Sequence, residues 1–153
     1  MTFTLFVENL GNATLENLEL IDDVDSIFGS SLANVSIPQV QNFNGAGSLP
    51  TINPAWIGDT SQNILSGGVL SEGGSFEVVF TVTLDPDAAG APVSPGNQAE
   101  ITGLALNPDG SSTGGPNSSP QLVDDLSDAG TDPGGENGTD NGDGVPDLSL
   151  IHI

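Results

Sequence analysis

Not one lysine or arginine occurs in these 153 residues, while 21 positions are Asp or Glu and one is His, a formal charge of -21 at pH 7. A chain of this kind cannot brace itself with salt bridges except through that single His. Its fold must rest on apolar packing and uncharged hydrogen bonds, held against the mutual repulsion of its carboxylates. Salt should relieve that repulsion by screening, and bound divalent cations should relieve it further. The same feature removes whole classes of function. Nucleic-acid binding depends on Lys and Arg displacing phosphate counterions, and an anionic membrane surface attracts only basic segments. The chain also has no cysteine, so disulfides, zinc–thiolate sites and thiol nucleophiles are out of reach. No apolar run approaches the length of a spanning helix, so membrane insertion is not expected.

Alternation of period two is the dominant pattern. Phe3, Leu5 and Val7 share one face of Thr2–Glu8, and Leu18 and Leu20 share one face of residues 14–21, with Glu16, Asn17 and Glu19 outward. The strongest strand is 75–84, where Phe76, Val78, Phe80, Val82 and Leu84 alternate with Glu77, Val79, Thr81 and Thr83. Ser71–Gly74 ahead of it reads as a turn, predicting a hairpin from Val69–Leu70 to Phe76. Another strand is expected over 97–105, with Ala99, Ile101 and Ala105 on one face, and weaker ones over 31–37, 63–70 (broken at Gly67–Gly68) and 121–124, with 39–54 a loop. Trp56 and Ile57 are expected to plug one end of the core. No segment carries helical periodicity. Short strands separated by turn residues predict an all-β fold, an antiparallel immunoglobulin-like β-sandwich of Greek-key type with about seven strands, followed by an irregular acidic tail.

This sandwich is assigned to residues 1–124. Residues 125–147 form an Asp/Gly-rich linker or calcium loop, too poor in apolar side chains to offset the entropy of ordering. Residues 148–153 stand apart. Leu148-Ser149-Leu150-Ile151-His152-Ile153 reverse-translates to CTGTCTCTTATACACATC, the mosaic-end adapter of transposase-based sequencing libraries. These residues are therefore expected to be read-through from adapter DNA and are excluded from fold reasoning. Met1 opens directly onto strand-like sequence, as an internal methionine of a longer protein would.

Catalytic arrangements find little support. The only His lies in the adapter-like tail, which removes a Ser-His-Asp set. Asp59-Thr60-Ser61 lacks the glycine of an aspartic-protease triplet and has no second copy, whereas that chemistry needs two opposed carboxylates. A glycosidase pair of carboxylates is the remaining hydrolase reading. Calcium is the one ion the sequence points to. Asp140, Asn141, Asp143 and Asp147 supply hard oxygen ligands, and Gly142 and Gly144 permit tight wrapping around them. A second, weaker candidate is the cluster Asp22, Asp23 and Asp25 at the end of a strand.

Several segments, in order, resemble a known bacterial surface repeat. Residues 2–23, 65–86, Asn97-Gln98-Ala99 and 126–133 are similar to the conserved repeat described as domain of unknown function eleven. Asp140-Asn141-Gly142-Asp143-Gly144-Val145-Pro146-Asp147 resembles the calcium loops of thrombospondin type-three repeats, although Thr139 stands where the first Asp belongs and no second copy follows. The resemblance implies a non-catalytic stalk or adhesive module of a secreted or cell-surface bacterial protein. Its partners would be neighbouring repeats of the same parent chain, and surface glycans or proteins. The alternative is a carbohydrate-binding accessory module of an extracellular enzyme, for which Phe6 and Phe43 are the aromatic candidates.

Overall fold

A computed structural model describes residues 1–88, 97–106, 121–126, 128–129 and 149–152. Their strands are β1 (Thr2–Glu8), β2 (Leu15–Asp22), β3 (Leu32–Val35), β4 (Gln39–Asn44), β5 (Gly47–Ser48), β6 (Thr51–Ile52), β7 (Leu65–Leu70), β8 (Ser75–Leu84), β9 (Ala99–Ala105), β10 (Gln121–Leu126), β11 (Asp128–Ala129) and β12 (Ser149–His152). They make two sheets. One runs β11-β12-β1-β8-β3, with β4 also on β8, and the other runs β10-β9-β2-β7-β5, with β6 also on β7. Every pairing is antiparallel except β1 with β12. The chain is thus an all-β sandwich.

The core lies between the sheets. Leu5, Val7, Phe76, Val78, Phe80 and Val82 face inward from one, and Leu15, Leu18, Leu20, Leu65, Leu70, Ala99 and Ile101 from the other. Each large side chain removed from water contributes about 1.5–3 kcal/mol, and with no cationic partners available this is the main support of the fold. Phe80 is the hub: its ring stacks on Phe3 at 5.3 Å and meets the edge of Trp56 at 4.9 Å. Trp56 is buried and Ile57 is 65% exposed, so of the two only Trp56 joins the core.

Bulges make the second sheet workable. Leu15 and Leu18 are both buried although three residues apart, which a regular strand forbids. The register of β2 shifts between Glu16 and Glu19, and Asn17 takes φ 51°, a left-handed conformation that Asn tolerates better than most residues. Opposite it, Gly67 and Gly68 in β7 have φ 75° and 83°, and the phase changes there too, so Leu65 and Leu70 both point inward. The two glycines therefore do not break the strand; they bend it.

Three expectations need correction. The segment 39–54 is not a loop: β4 hems one sheet along β8, and β5 and β6 hem the other along β7. The chain changes sheets at Gly45–Gly47. A Cβ on Gly47, where φ is 134°, would lie 2.0 Å from the carbonyl oxygen of Val69. Second, β7 and β8 do not form a hairpin, since they lie in different sheets and Ser71–Gly74 carries the chain across the sandwich. Third, a short helix, α1 (Val24–Phe28), follows β2 and leads into a single 3-10 turn, Gly29–Ser31. At five residues it is too short to show periodicity; Val24 and Phe28 bury against the core.

Both outer hems are interrupted by proline. β3 and β4 follow one another along β8, separated by Ser36–Pro38, where the Ser36 amide donates to the Thr81 carbonyl and the Ser36 hydroxyl accepts from the Thr81 amide. β5 and β6 follow one another along β7, separated by Leu49–Pro50. Proline has no N–H to give a ladder and is at home on such edges.

Asn9, between β1 and β2, is wholly buried. Its Nδ2 donates to the carbonyls of Ala13 and Leu70, its Oδ1 accepts from the Gly11 amide, and its backbone exchanges bonds with Gly73 and Gly74. One side chain thereby ties the β1–β2 turn to the crossover between β7 and β8. β10 extends through Leu126, pairing Asp125 and Leu126 with Ile101 and Glu100. β12 adds to the free edge of β1 through backbone bonds, which are indifferent to side-chain identity, so its pairing does not bear on the origin of the codons.

Candidate functional site

The acidic run after β2 holds the most unusual chemistry in the described residues. Asp22 continues the inward phase of Leu18 and Leu20, and so it is 1% exposed. Its Cα partner is Ala99 on β9, and from two residues before Ala99 the side chain of Asn97 reaches it, Nδ2 donating to Oδ2 at 2.7 Å. The other oxygen of each side chain, Asp22 Oδ1 and Asn97 Oδ1, is buried with no partner. Burial pushes the Asp22 carboxyl up to about 6, against the lowering by the Asn97 amide and the Asp23 backbone, and with a small further rise from the Asp23 charge. Protonation of Asp22 removes the cost of burying its charge and turns one carboxyl oxygen into a donor.

Its neighbours do other work. Asp23 is the N-cap of α1, its Oδ1 accepting from the Ser26 amide at 3.1 Å, a role for which a short side-chain acceptor is favoured. Asp25 is exposed in the first helical turn, and its backbone N–H donates to the Gly58 carbonyl at 2.7 Å. The structure therefore separates Asp22, Asp23 and Asp25 into a buried pair, a cap and a surface charge. Among the described residues, no group of three His, Cys, Asp or Glu side chains is placed to hold a metal ion. Asp140, Asn141, Asp143 and Asp147 lie outside the described residues.

Other sequence candidates resolve as follows. Asp59 Oδ1 accepts from both the amide and the hydroxyl of Ser61, an Asx turn. Phe43 is partly buried and packs against the core. Phe6 is half-buried on the outer face of β1, opposite Glu77, whose Oε2 accepts from Gln41 at 2.9 Å and Asn42 at 2.8 Å. The sequence gives no hint of this carboxylate–amide group, because it depends on Asn42 adopting φ 53° in a strand that shifts register there.

One concavity is also present, beside β6 and β7, with a volume of about 520 Å³. Thr51, Asn53, Ser61, Gln62, Asn63 and Ser66 supply its polar wall, and Ile52 and Pro54 its apolar one.

Nothing among family models, curated proteins or solved structures matches the chain. The function therefore has to be argued from the site and the fold. No helix of the described residues is long and apolar enough to cross a membrane. Asn97 is the functional-type residue that sequence reading missed. The available signal was the alternation Leu18, Leu20, Asp22, which already aims Asp22 inward and so calls for a buried partner.

Proposed function

We propose that the chain is a non-catalytic structural or adhesive module of a secreted or cell-surface bacterial protein, an immunoglobulin-like Greek-key sandwich that serves as a stalk or spacer between neighbouring repeats. The observation that carries this reading is the place of the family-like segments in the fold. Residues 2–23 and 65–86 hold β1, β2, β7 and β8, which are central to the two sheets, as expected if the resemblance reflects a shared core rather than chance alternation. The best-placed carboxylates support it as well: those of Asp22, Asp23, Asp59 and Glu77 are engaged in hydrogen bonds that hold the chain together. The acidic exterior keeps adjacent copies soluble and apart. Calcium at Asp140, Asn141, Asp143 and Asp147 would stiffen the exit segment.

Two measurements test this. The gene from which the chain derives should hold tandem copies and a secretion signal; a single copy fused within a catalytic domain would refute the stalk role. Calorimetric titration should give calcium binding in the weak range of extracellular modules, about 10⁻⁴–10⁻³ M, that is lost in an Asp140→Asn, Asp143→Asn double variant. Absence of heat would remove the calcium role and leave the spacer role standing. The accessory carbohydrate-binding reading rests on a different feature, the uncharged cleft beside β6.

A further inference from the structure

We infer that the cleft beside β6 and β7 binds a neutral polyhydroxylated ligand, the end of an uncharged saccharide. Its volume of about 520 Å³ is in the range of small-ligand sites. What lines it narrows the ligand. None of its residues is charged, although every charged side chain of the chain apart from the lone His is a carboxylate. A cation finds no carboxylate in the lining to balance it, the adjoining Asp59 being held by the Ser61 amide and hydroxyl. An anion would meet no positive side chain and the field of a strongly negative molecule. A purely apolar ligand would leave the amides and hydroxyls unmatched. A neutral molecule rich in hydroxyl groups is the class that fits.

The polar groups are also held in place. Asn53 is fixed on all sides: its Nδ2 donates to Gln62 Oε1 at 3.0 Å and to the Asn63 carbonyl at 3.1 Å, its Oδ1 accepts from the Ala55 amide at 3.0 Å, and its backbone N–H donates to the Ile64 carbonyl at 2.9 Å. Because Oε1 of Gln62 is taken, its Nε2 donors are directed away from Asn53. Thr51 and Ser66 are directly opposed Cα partners on adjacent strands, so their hydroxyls lie on one face within reach of a single ligand. Amide donors on one side and paired hydroxyls on the other suit vicinal sugar hydroxyls, while Ile52 and Pro54 offer apolar contact to the C–H face of a ring. Such pre-set groups lower the entropy lost on binding. The spacer role needs no ligand, so the two conclusions stand or fall separately.

The test is a two-dimensional ¹⁵N–¹H NMR titration of the full chain with xylotetraose, cellotetraose and mannotetraose, each to roughly tens of millimolar, since a shallow site of this kind belongs in the millimolar range. The expected result is movement of the side-chain amide signals of Asn53, Gln62 and Asn63 with at least one sugar. Gln62→Ala should weaken that binding by about five- to tenfold. Ser66→Ala, which removes no hydrogen bond within the described residues, should weaken it by a smaller factor without altering the rest of the spectrum. Phe6→Ala should leave it unchanged. The inference is overturned if no sugar moves these signals, if movement is confined to the Phe6 and Glu77 face, or if both cleft variants bind as tightly as the native chain.

Discussion

Asp22→Asn is expected to make this protein more stable, and the gain should depend on pH in a defined way. In the folded chain, burial raises the Asp22 carboxyl from its ordinary value of 3.8 to about 6. At roughly 1.4 kcal/mol per tenfold change in proton affinity, this difference corresponds to about 3 kcal/mol. The folded state holds the proton more tightly than the unfolded one. The associated stability is therefore complete below pH 3.8, declines as pH rises, and is gone above about 6. At pH 8 the native protein thus carries an ionised carboxylate buried with one oxygen unmatched. Asparagine is neutral and nearly isosteric, so it keeps the shape of the site while removing the buried charge. The variant should exceed the native protein by up to about 3 kcal/mol at pH 8, the margin narrowing below pH 6 and vanishing near pH 4. Urea unfolding followed by the emission of Trp56, the only tryptophan, gives both curves. Taking the difference between them cancels the titration of the other carboxylates. A variant no more stable at pH 8, or a margin that stays constant from pH 4 to 8, would refute the reasoning.

Three further outcomes follow from the packing. Asn9→Ala removes three side-chain hydrogen bonds from a wholly buried position, so a loss of about 2–4 kcal/mol is expected in the same urea assay. Phe80→Ala empties the space between Phe3 and Trp56; it should lose about 3–5 kcal/mol and shift the Trp56 emission to the red. Sodium chloride should raise the thermal midpoint steadily up to roughly 1 M by screening carboxylate repulsion, whereas a midpoint independent of salt would mean that the repulsion is not a significant load on the fold.

How much of this was legible in the sequence depends on how regular each element is. β1, β8 and β9 alternate cleanly, and the side chains read as inward-facing from them are buried or packed on the core. β4 was missed because an edge strand carrying Gln, Asn and only Val40 and Phe43 as apolar residues leaves almost no periodic signal. The crossover at Ser71–Gly74 was mistaken for a hairpin because turn chemistry is the same whether the chain returns to its own sheet or passes to the other. Leu15 and Leu70 were overlooked for a subtler reason: they lie beyond bulges at Asn17 and Gly67–Gly68 that reverse the phase of the strand. Around Asp22, the direction of the side chain was implicit in its spacing from Leu18 and Leu20, but its pairing with Asn97, 75 positions away, is set by how β2 and β9 align.

The prolines that interrupt both hems take on a different meaning in the serial array of copies proposed above. Tethered identical domains experience each other at effective concentrations on the order of millimolar, where exposed strand edges exchange partners and seed aggregation. On one hem Pro38 separates β3 from β4, and on the other Pro50 separates β5 from β6, so neither offers a neighbour a long unbroken ladder to extend. A polypeptide built from such units can be long, crowded and under-braced by ion pairs, and still keep each unit folded on itself.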